Sequence, residues 1–397
     1  MPVTQGGILH GVKVLDFGRY IAAPYCASLL AGLGAEVVRI EAPGGNDDRF
    51  TMPITAKYGA MYLQMNRGKS SLQLNLAHPQ APEMLRRLVQ GADVVIANMP
   101  PVAMTKLGLD YASLRAIKDN IVLANVTAYG AQGKLRNAIG FDGTGQSMSG
   151  AIHLTGQPGE PYRAAVSYVD IGTAFATAFA TLAAIMEQRQ TGRGQEVNAS
   201  LLGTALAMSN MMLLEEASGT RSRVPMGNRS PIAGPSDIYR TQDRWITVQV
   251  LGNQMFNRWA ALVGQPDLLD DPRFADDISR GDNGAALSEI MTAWTSQRTS
   301  EDCLAALRAA KIPSCPVLSP AEALQEPQNN EGGFLSWQDV PGWETKLPFA
   351  MPFQLGNHPE PPAPAPALGE GAHEILLGYG FSEDEIAALR RDGVVAL

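Results

Sequence analysis

The amino-acid sequence predicts an α/β protein whose large domain contains a mostly parallel sheet and whose smaller domain is α+β. Strand-like and helix-like segments alternate through the first half of the chain, which is typical of a parallel sheet covered by helices on both faces. From Gly219 to Ser236, glycine, proline and charged residues interrupt this alternation and predict a domain boundary. With 397 residues, of which 45% are hydrophobic, the chain is long enough to bury the cores of both domains.

The first three elements form a β-α-β unit. "GVKVLDFG" predicts a buried strand, "APYCASLLAGLG" a helix that ends on glycine, and "AEVVRIE" a second strand. The alternation continues with the strand "KSSLQLNL", the helix "PQAPEMLRRLVQGA" and the strands "DVVIANM" and "NIVLANVTAYG". A long apolar helix is predicted over residues 171–188, with its end near Gly192.

The second half of the chain has a different pattern. "DIYRTQDRWITVQV" predicts a hairpin with its turn at Gln242 and Asp243, and the region from Phe256 to Leu324 predicts mainly amphipathic helices. From "LPFAMPFQL" onward the chain is rich in proline, until "SEDEIAALRRDG" predicts a last helix. The hairpin and its helices therefore make a second, smaller domain.

Charge and composition exclude several classes of function. The net charge of −8 and the isoelectric point near 5.3 argue against a nucleic-acid partner and against an anionic membrane. The segment "MPVTQGGILHGVKV" lacks the features of a signal peptide, and we find no run near the apolar length of a transmembrane helix, so we expect a cytoplasmic protein. The three cysteines and five histidines lack disulfide or metal-ligand spacing, so no metal is expected.

The first β-α-β unit does not match a dinucleotide-binding motif. Glu41 ends the second strand where a ribose-binding acid would lie. The turn "DFGRYIAAP", however, has Gly18 without the G-x-G-x-x-G pattern that lets a backbone approach a pyrophosphate. The sequence also lacks a G-x-S-x-G nucleophile elbow and a Walker A loop. NAD binding is therefore disfavoured.

Basic residues occur in three loops that flank strands of the predicted sheet, near the ends at which α/β proteins bind ligands. Taken singly, each is a solvated surface charge, but together they could hold the phosphates of a substrate. They are Arg67, Lys69, Lys106, Lys134 and Arg136. The loop "GFDGTGQSMSG" adds Asp142 and Gln146, and an Asx turn is the alternative role for Asp142.

A single acid, Asp170, stands at the start of the long apolar helix, and two interpretations are open. Asp is a favoured N-cap, which would give it a structural role only. The helix has hardly any polar face, so we expect it to be buried and to carry the acid into the protein, where a carboxylate needs partners or a chemical role. Gly172 is expected to leave open space for a ligand beside the acid.

Several collinear segments resemble the class III CoA-transferases, of the formyl-CoA transferase and carnitine-CoA transferase type. They include "VLDFGRYIAAPYCASLLAGLGAEVVRIEAPGG", "NRGKSSLQLNL", "GFDGTGQSMSG", "VDIGTAFATAFATLAAIMEQRQTGRGQEV" and "PALGEGAHEILLGYGFSEDEIAALRRDGVV". The resemblance implies that Asp170 is the family's nucleophile. It also implies an interlocked homodimer in which each chain has a Rossmann-like large domain from residues 1–218 and 336–397, and a linker and small domain within residues 219–335.

The resemblance further implies coenzyme A, entering as an acyl-CoA substrate, and a small carboxylic acid acceptor. The family's CoA contacts fall on Ile21, Ala22, Leu74, Asn75, Asn98, Met99, Lys106 and the loop 138–142 that contains Phe141, and we add Arg136 just before that loop. Arg19 and Tyr20 near the site favour a short-chain or dicarboxylic acid such as succinate. Relatives often have a polar residue followed by Ala-Gly-Pro after the first strand, whereas this chain has "IAAP", which predicts a more apolar reacting end.

The expected chemistry explains why a carboxylate serves as nucleophile. It attacks a thioester to form a mixed anhydride, and the released CoA thiolate attacks the enzyme's own carbonyl to give an aspartyl-CoA thioester. Because backbone N–H groups at a helix N-terminus favour an ionised acid, we expect Asp170 to need no raised pKa and to cap its helix as well. Asp142 is expected to orient it, or to act as a relay, when the acceptor enters.

Two alternatives remain open. An α-methylacyl-CoA racemase resembles the same segments but needs proton-transfer groups on both faces of the α-carbon. Those racemases carry a histidine at the position of Phe141, which cannot move a proton, so the sequence disfavours this isomerase. The other alternative is an acyl-CoA-binding protein without covalent chemistry, and it would retain its function after Asp170 is removed.

Overall fold

The computed structural model describes residues 7–55, 57–354 and 361–396. The strands in this part of the chain alternate with helices as the sequence predicts. They are β1 (Lys13–Asp16), β2 (Glu36–Glu41), β3 (Lys69–Leu74), β4 (Val94–Ala97), β5 (Val122–Thr127), β6 (Gly156–Gln157), β7 (Glu160–Pro161), β8 (Glu196–Ser200), β9 (Ser236–Arg240), β10 (Trp245–Gln249), β11 (Ser314–Pro316), β12 (Leu335–Gln338), β13 (Leu347–Ala350) and β14 (Val395–Ala396).

Some of the helices begin or end at residues with recognisable caps. For example, α8 ends at Gly192, whose φ of 70° suits glycine, and Ser382 and Glu385 form a capping box at the start of α17. The helices are α1 (Ala22–Gly32), α2 (Ala60–Met65), α3 (Ala81–Gly91), α4 (Pro101–Leu107), α5 (Tyr111–Ile117), α6 (Asp142–Met148), α7 (Ala151–Leu154), α8 (Tyr168–Thr191), α9 (Leu201–Ser218), α10 (Asn253–Leu262), α11 (Asp277–Asp282), α12 (Gly284–Thr295), α13 (Ser300–Ala309), α14 (Pro320–Gln325), α15 (Pro327–Glu331), α16 (Ala372–Gly378) and α17 (Glu383–Arg391).

Seven strands form the main sheet in the order β14-β3-β2-β1-β4-β5-β8. Every neighbouring pair is parallel except β14 with β3, which is antiparallel at the edge. The structure therefore confirms a mixed α/β fold with a mostly parallel sheet. Because the six parallel strands point the same way, their carboxyl ends meet at one edge, where α/β proteins bind ligands.

Both faces of this sheet are covered, which explains why a central strand such as β4, with the sequence "VVIA", is continuously apolar. Alternate residues of each strand point to opposite faces. One face packs on α1 and α8 and contains Val14, Val94 and Val122, whereas the other packs on α3, α16 and α17 and contains Leu15, Val95 and Leu123.

The chain forms two compact units. The first comprises the described residues of Met1–Ser149, Ala165–Met208 and Pro327–Leu397, and the second comprises Gly150–Ala164 and Ser209–Glu326. The resemblance implies that residues 150–164 belong to the large domain. In the structure, the N–H of Gly227 donates to the carbonyl of Gly156 at 2.7 Å, which joins that segment to the second unit.

The second unit contains the three-stranded antiparallel sheet β11-β10-β9. Its β9–β10 hairpin confirms the sequence prediction, and the N–H of Thr241 donates to the carbonyl of Arg244 across the predicted turn at 2.9 Å. Amphipathic helices cover this sheet and bury Phe256, Trp259 and Met291. The unit has its own hydrophobic core.

Helix α8 departs from expectation in two ways. It is long and apolar enough to cross a membrane by length and composition alone, so the statement that no run approaches this length is wrong. It is also not buried on all sides in the single chain. Val169, Ala174 and Ala178 pack into the core beside α1, whereas Phe179 and Met186 are 78% and 62% exposed. Only one side of α8 meets α1 and the sheet.

Candidate active site

A cavity of about 370 Å³ lies in the first unit at the carboxyl edge of the sheet, where β1, β4 and β5 end. Seven residues that the sequence analysis named for catalysis or CoA binding line it together. They are Ile21, Ala22, Asn98, Met99, Arg136, Phe141 and Asp170. The parallel sheet brings them together because each follows the carboxyl end of a strand or stands at the start of a helix that packs on the sheet.

The turn after β1 forms one wall of the cavity and is held by side chains of other elements. The N–H of Gly18 donates to Asp16 Oδ1 at 2.7 Å. Asn98, which follows β4, accepts from the N–H of Arg19 at 2.9 Å and donates to its carbonyl at 2.8 Å. These bonds fix the path of the chain into Ile21, so the wall has a defined shape.

Asp170 lies in the first turn of α8 and is the third residue of this helix, which begins at Tyr168. The N-cap is Ser167, and no side chain at that position makes a capping hydrogen bond. The expectation that Asp170 caps its own helix is therefore wrong. Its carboxylate is instead presented to the cavity.

Asp142, at the start of α6, supplies the acceptor that α8 lacks. Its Oδ1 accepts from the N–H groups of Val169 at 2.8 Å and Asp170 at 3.1 Å, and its Oδ2 accepts from the amide of Gln146. The side chain is buried, with 5% exposure, and does not line the cavity. Asp142, which precedes Asp170 by 28 residues in the sequence, thus caps α8. Its carboxylate serves this helix and not a local Asx turn.

Burial raises the pKa of Asp170 from 3.8 to about 7, and the negative charge of Asp142 adds to the rise. The expectation that Asp170 needs no raised pKa is therefore wrong. The physical reason is that burial removes water from around the carboxylate, and the charge of Asp142 nearby further disfavours the ionised form. Near neutral pH, both protonation states of this acid are populated.

Gly172 does not open space for a ligand. A Cβ atom added there would overlap the terminal methyl group of Met208 on α9. The space beside Gly172 is therefore filled by the Met208 side chain, and the expectation of a vacant site beside it is wrong.

Three residues predicted to contact CoA are not brought to the cavity. Leu74 is fully buried in the core on one face of the sheet. Asn75 donates its N–H to the carbonyl of Val394 at 2.9 Å, and Lys106 is exposed in the last turn of α4. Within the single chain, none of them lines the cavity around Asp170.

Two of the loop cations, Lys69 and Arg67, are buried, and Glu41 has a structural role. Lys69 is buried, and its Nζ lies 2.7 Å from Asp16 Oδ2, so it is not available to a phosphate. Arg67 is 1% exposed, and Glu41 forms a buried ion pair with Arg49. Of the five loop cations predicted to hold phosphates, only Arg136 lines the cavity.

Residues 9–372 match the family model described as CoA-transferase family III. The chain belongs to CoA-transferase family III. Succinyl-CoA–D-citramalate CoA-transferase from Chloroflexus aurantiacus is 29% identical to it over 398 residues, covering 98% of each chain. Succinate–glutarate CoA-transferase from Agrobacterium fabrum is 31% identical over 387 residues, covering 93% of this chain and 94% of that protein.

Solved structures agree with this family III assignment. The crystal structure of a CAIB/BAIF family protein from Brucella suis matches with a TM-score of 0.82 at 29% identity, covering 94% of this chain and 100% of that one. The resemblance to class III CoA-transferases is confirmed, as is the mixed α/β fold with its mostly parallel sheet.

Some cavity residues of this CoA-transferase, at the carboxyl end of β5, were not identified from the sequence. Thr127 and Ala128 line the cavity, and the N–H of Leu202 donates to the carbonyl of Ala128 at 3.0 Å, which brings the neighbouring Leu201 to the same wall. A signal was present, because the strand "NIVLANVTAYG" was predicted in the same parallel sheet and its carboxyl end had to lie at the ligand edge. Among the described residues, no cluster of three or more His, Cys, Asp or Glu residues could hold a metal ion.

Proposed function

We propose that Asp170 is the nucleophile of CoA transfer and that the cavity beside it binds the acyl-CoA thioester. As a member of CoA-transferase family III, the protein moves CoA from an acyl-CoA to a carboxylic acid. One observation carries the proposal for Asp170: an ionisable acid that is partly buried at the start of a core helix lies in the wall of the cavity at the ligand edge of the sheet.

The first half of the reaction forms the covalent intermediate. A carboxylate oxygen of Asp170 attacks the thioester carbonyl, the C–S bond breaks, and CoA leaves as a thiolate, which produces a mixed anhydride. The thiolate then attacks Cγ of Asp170, and the donor acid leaves as its carboxylate. The product is an aspartyl-CoA thioester, and no proton is gained or lost overall.

The second half repeats these steps with the acceptor. The acceptor carboxylate attacks Cγ of the aspartyl-CoA thioester and releases the CoA thiolate, giving a second mixed anhydride. The thiolate attacks the acceptor's carbonyl, which forms the new acyl-CoA and returns Asp170 to its carboxylate. The energy of the thioester is therefore conserved in the exchange of one acid for another.

The raised pKa of Asp170 supports this role. A carboxylate that is poorly stabilised by hydrogen bonds is more basic and more nucleophilic than one at the surface. A pKa of about 7 still leaves a large fraction ionised at neutral pH. Phe141, which is 59% exposed and also lines the cavity, has no group that can move a proton, which argues against the racemase alternative.

We propose that the acids exchanged are dicarboxylic. The two relatives described above are named for succinate, glutarate and D-citramalate. In this chain Arg19 and Arg136 line the cavity. The carboxylate nearest to the Arg19 guanidinium is that of Asp47, at 3.6 Å. The Asp47 side chain is 85% exposed, so this ion pair is weak. A guanidinium in this position is available to a substrate anion.

We also propose that the protein is an interlocked homodimer. Phe179 and Met186 on α8 and Met211 and Leu214 on α9 are each more than 60% exposed in the single chain. Long helices with this much exposed apolar surface are typical of obligate interfaces. Sedimentation is expected to give twice the mass of 42.3 kDa at all practical concentrations, and a freely exchanging monomer would contradict the proposal.

The experiment that tests the nucleophile traps its intermediate. The protein is incubated with succinyl-CoA without an acceptor, quenched with hydroxylamine, digested and mapped by mass spectrometry. An anhydride or thioester at Asp170 yields a hydroxamate on the peptide containing "SYVDIGTAF". The Asp170→Asn variant is the control and should remain unmodified. Rapid CoA exchange while this peptide of the wild-type protein stays unmodified would refute the proposal.

Asp142 is proposed to position Asp170. We expect Asp142→Ala to lower kcat about 10- to 100-fold with little change in KM, because the N–H groups of Val169 and Asp170 lose their acceptor and the first turn of α8 shifts. Asp142→Asn keeps an acceptor oxygen, and its kcat is expected to stay within about tenfold of wild type. Steady-state kinetics of both variants checks this, and equal loss in the two would show that the acceptor oxygen is not what matters.

A further inference from the structure

We propose that Asp48 is a positioning residue for the acyl-CoA cavity and that it acts through the backbone of Tyr20. The proposal rests on the acyl-CoA site proposed above. Asp48 belongs to a short 3₁₀ turn, Asp47–Phe50, that follows β2. Its side chain is 1% exposed and does not line the cavity, so any effect on substrate must pass through other residues.

Tyr20 has an unusual backbone conformation at the wall of the cavity. Its φ is 65°, in the left-handed region that residues with a Cβ atom seldom occupy. Such conformations persist where the surroundings determine them, and they cluster at functional sites. The N–H of Tyr20 donates to Asp48 Oδ2 at 2.9 Å. Asp48 therefore holds the residue whose backbone is strained.

This conformation directs the Tyr20 ring to Phe141. The two ring centroids are 5.8 Å apart with an interplanar angle of 88°, an edge-to-face contact, and both residues line the cavity. Phe141 immediately precedes Asp142, the residue that caps the helix of Asp170. The aromatic pair thus joins the turn after β1 to the loop that leads into α6.

A buried ion pair makes Asp48 a rigid support. Arg39 Nη2 lies 2.8 Å from both carboxylate oxygens of Asp48, and the two side chains are almost fully buried. Arg39 Nη1 also donates to the carbonyl of Gly18 at 3.3 Å. One ion pair therefore holds two backbone groups of the turn, the Gly18 carbonyl and the Tyr20 N–H. If the Asp48 charge is removed, Arg39 loses its bidentate partner and both of these supports weaken.

The test compares two buried ion pairs of the same cluster. Asp48→Asn removes the charge that faces Arg39 and weakens the hold on Tyr20. Glu41→Gln is the matched control, because Glu41 also faces Arg39, at 3.4 Å from its Nε, and bonds to Arg49 and Ser71, but it bonds to no backbone group of residues 18–20. Both variants are expected to melt at lower temperature than wild type. Only Asp48→Asn is expected to raise KM for acyl-CoA, by about 10-fold, with kcat changed by less than about threefold.

A similar rise in KM in both variants, or none in Asp48→Asn, would overturn the positioning role. A second pair of variants, at Tyr20, tests the proposal if Asp48→Asn does not fold. Tyr20→Asn and Tyr20→Val both remove the ring, but Asn tolerates the left-handed region and Val does not. Tyr20→Val is expected to raise KM at least threefold above that of Tyr20→Asn, and equal values would count against the proposal.

The same comparison can be made without catalysis. In an Asp170→Asn background, isothermal titration with free CoA measures binding to the cavity alone. Asp48→Asn is expected to raise Kd by about 10-fold in this background, and Glu41→Gln is expected to leave it unchanged. An unchanged Kd in the Asp48→Asn variant would overturn the positioning role. Because this readout needs no nucleophile, it is independent of whether Asp170 attacks the thioester.

Discussion

Asp170→Asn is expected to lower the turnover of CoA transfer by at least ~10³-fold while the protein still folds. Asn has nearly the shape of Asp, but its amide is a far poorer nucleophile than a carboxylate. Without the attack on the thioester, neither the mixed anhydride nor the aspartyl-CoA thioester can form. The loss should appear in kcat, because the cavity that binds acyl-CoA is otherwise unchanged.

Initial rates with succinyl-CoA and a second dicarboxylic acid, read by mass spectrometry of the CoA esters, measure this effect. Asp110→Asn is the matched control, because Asp110 caps α5 through the N–H of Ser113 and does not line the cavity. It should keep nearly full activity. An Asp170→Asn protein that stays fully active, with mass spectrometry excluding reversion to Asp, would remove Asp170 from the mechanism.

The same substitution is expected to stabilise the fold by a few kcal/mol above pH 7. The pKa of Asp170 is about 7 in the folded protein and has its ordinary value of 3.8 in the unfolded chain. Between these values the folded state binds more protons than the unfolded state, so stability falls as pH rises from about 4 to 7. Each pKa unit corresponds to about 1.4 kcal/mol. Asn does not ionise, and the variant avoids this cost.

Thermal melts at pH 4 and pH 8 measure this effect as the difference in Tm between variant and wild type. The difference is expected to be small at pH 4 and clearly positive at pH 8. Asp243→Asn is the control of opposite sign, because hydrogen bonds from the hydroxyl and N–H of Ser300 hold the pKa of Asp243 well below its usual range. That variant should have a lower Tm than wild type at both pH values and by nearly the same amount, because above about pH 4 Asp243 is ionised in the folded and in the unfolded state. An Asp170→Asn protein with the wild-type Tm at pH 8 would contradict the burial argument.

Much of the fold was predictable from local pattern. Continuous apolar runs such as "DVVIANM" predicted strands buried on both faces, and β4 is such a strand. The predicted hairpin around Gln242 is β9–β10 of the second unit. The predicted parallel sheet also implied a ligand-binding edge, and Asn98, Phe141 and Asp170 meet there because their elements end or begin at that edge.

The loop cations show where local pattern is insufficient. Lys69 is indistinguishable in sequence from a solvated lysine, yet it bonds to Asp16, the carbonyl of Pro24 and Asn66, each at 2.7 Å. Asp16 is 53 residues away from Lys69 along the chain. Hydrophobic periodicity depends only on residues that are close together along the chain. It therefore cannot distinguish a lysine in a buried ion pair from an exposed lysine.

The sequence by itself determined the family, the alternation of strands and helices, and the prominence of a single acid at the start of an apolar helix. The tertiary structure decided the state of that acid. Asp142 reaches α8 from 28 residues away and takes the N–H groups of Val169 and Asp170. Asp170 is left partly buried beside the charge of Asp142, and burial first and that charge second raise its pKa to about 7. Packing between segments that are distant in the sequence decides which side chain accepts hydrogen bonds from a helix N-terminus. The pKa of an acid at that terminus depends on the same packing and cannot be read from the residue type.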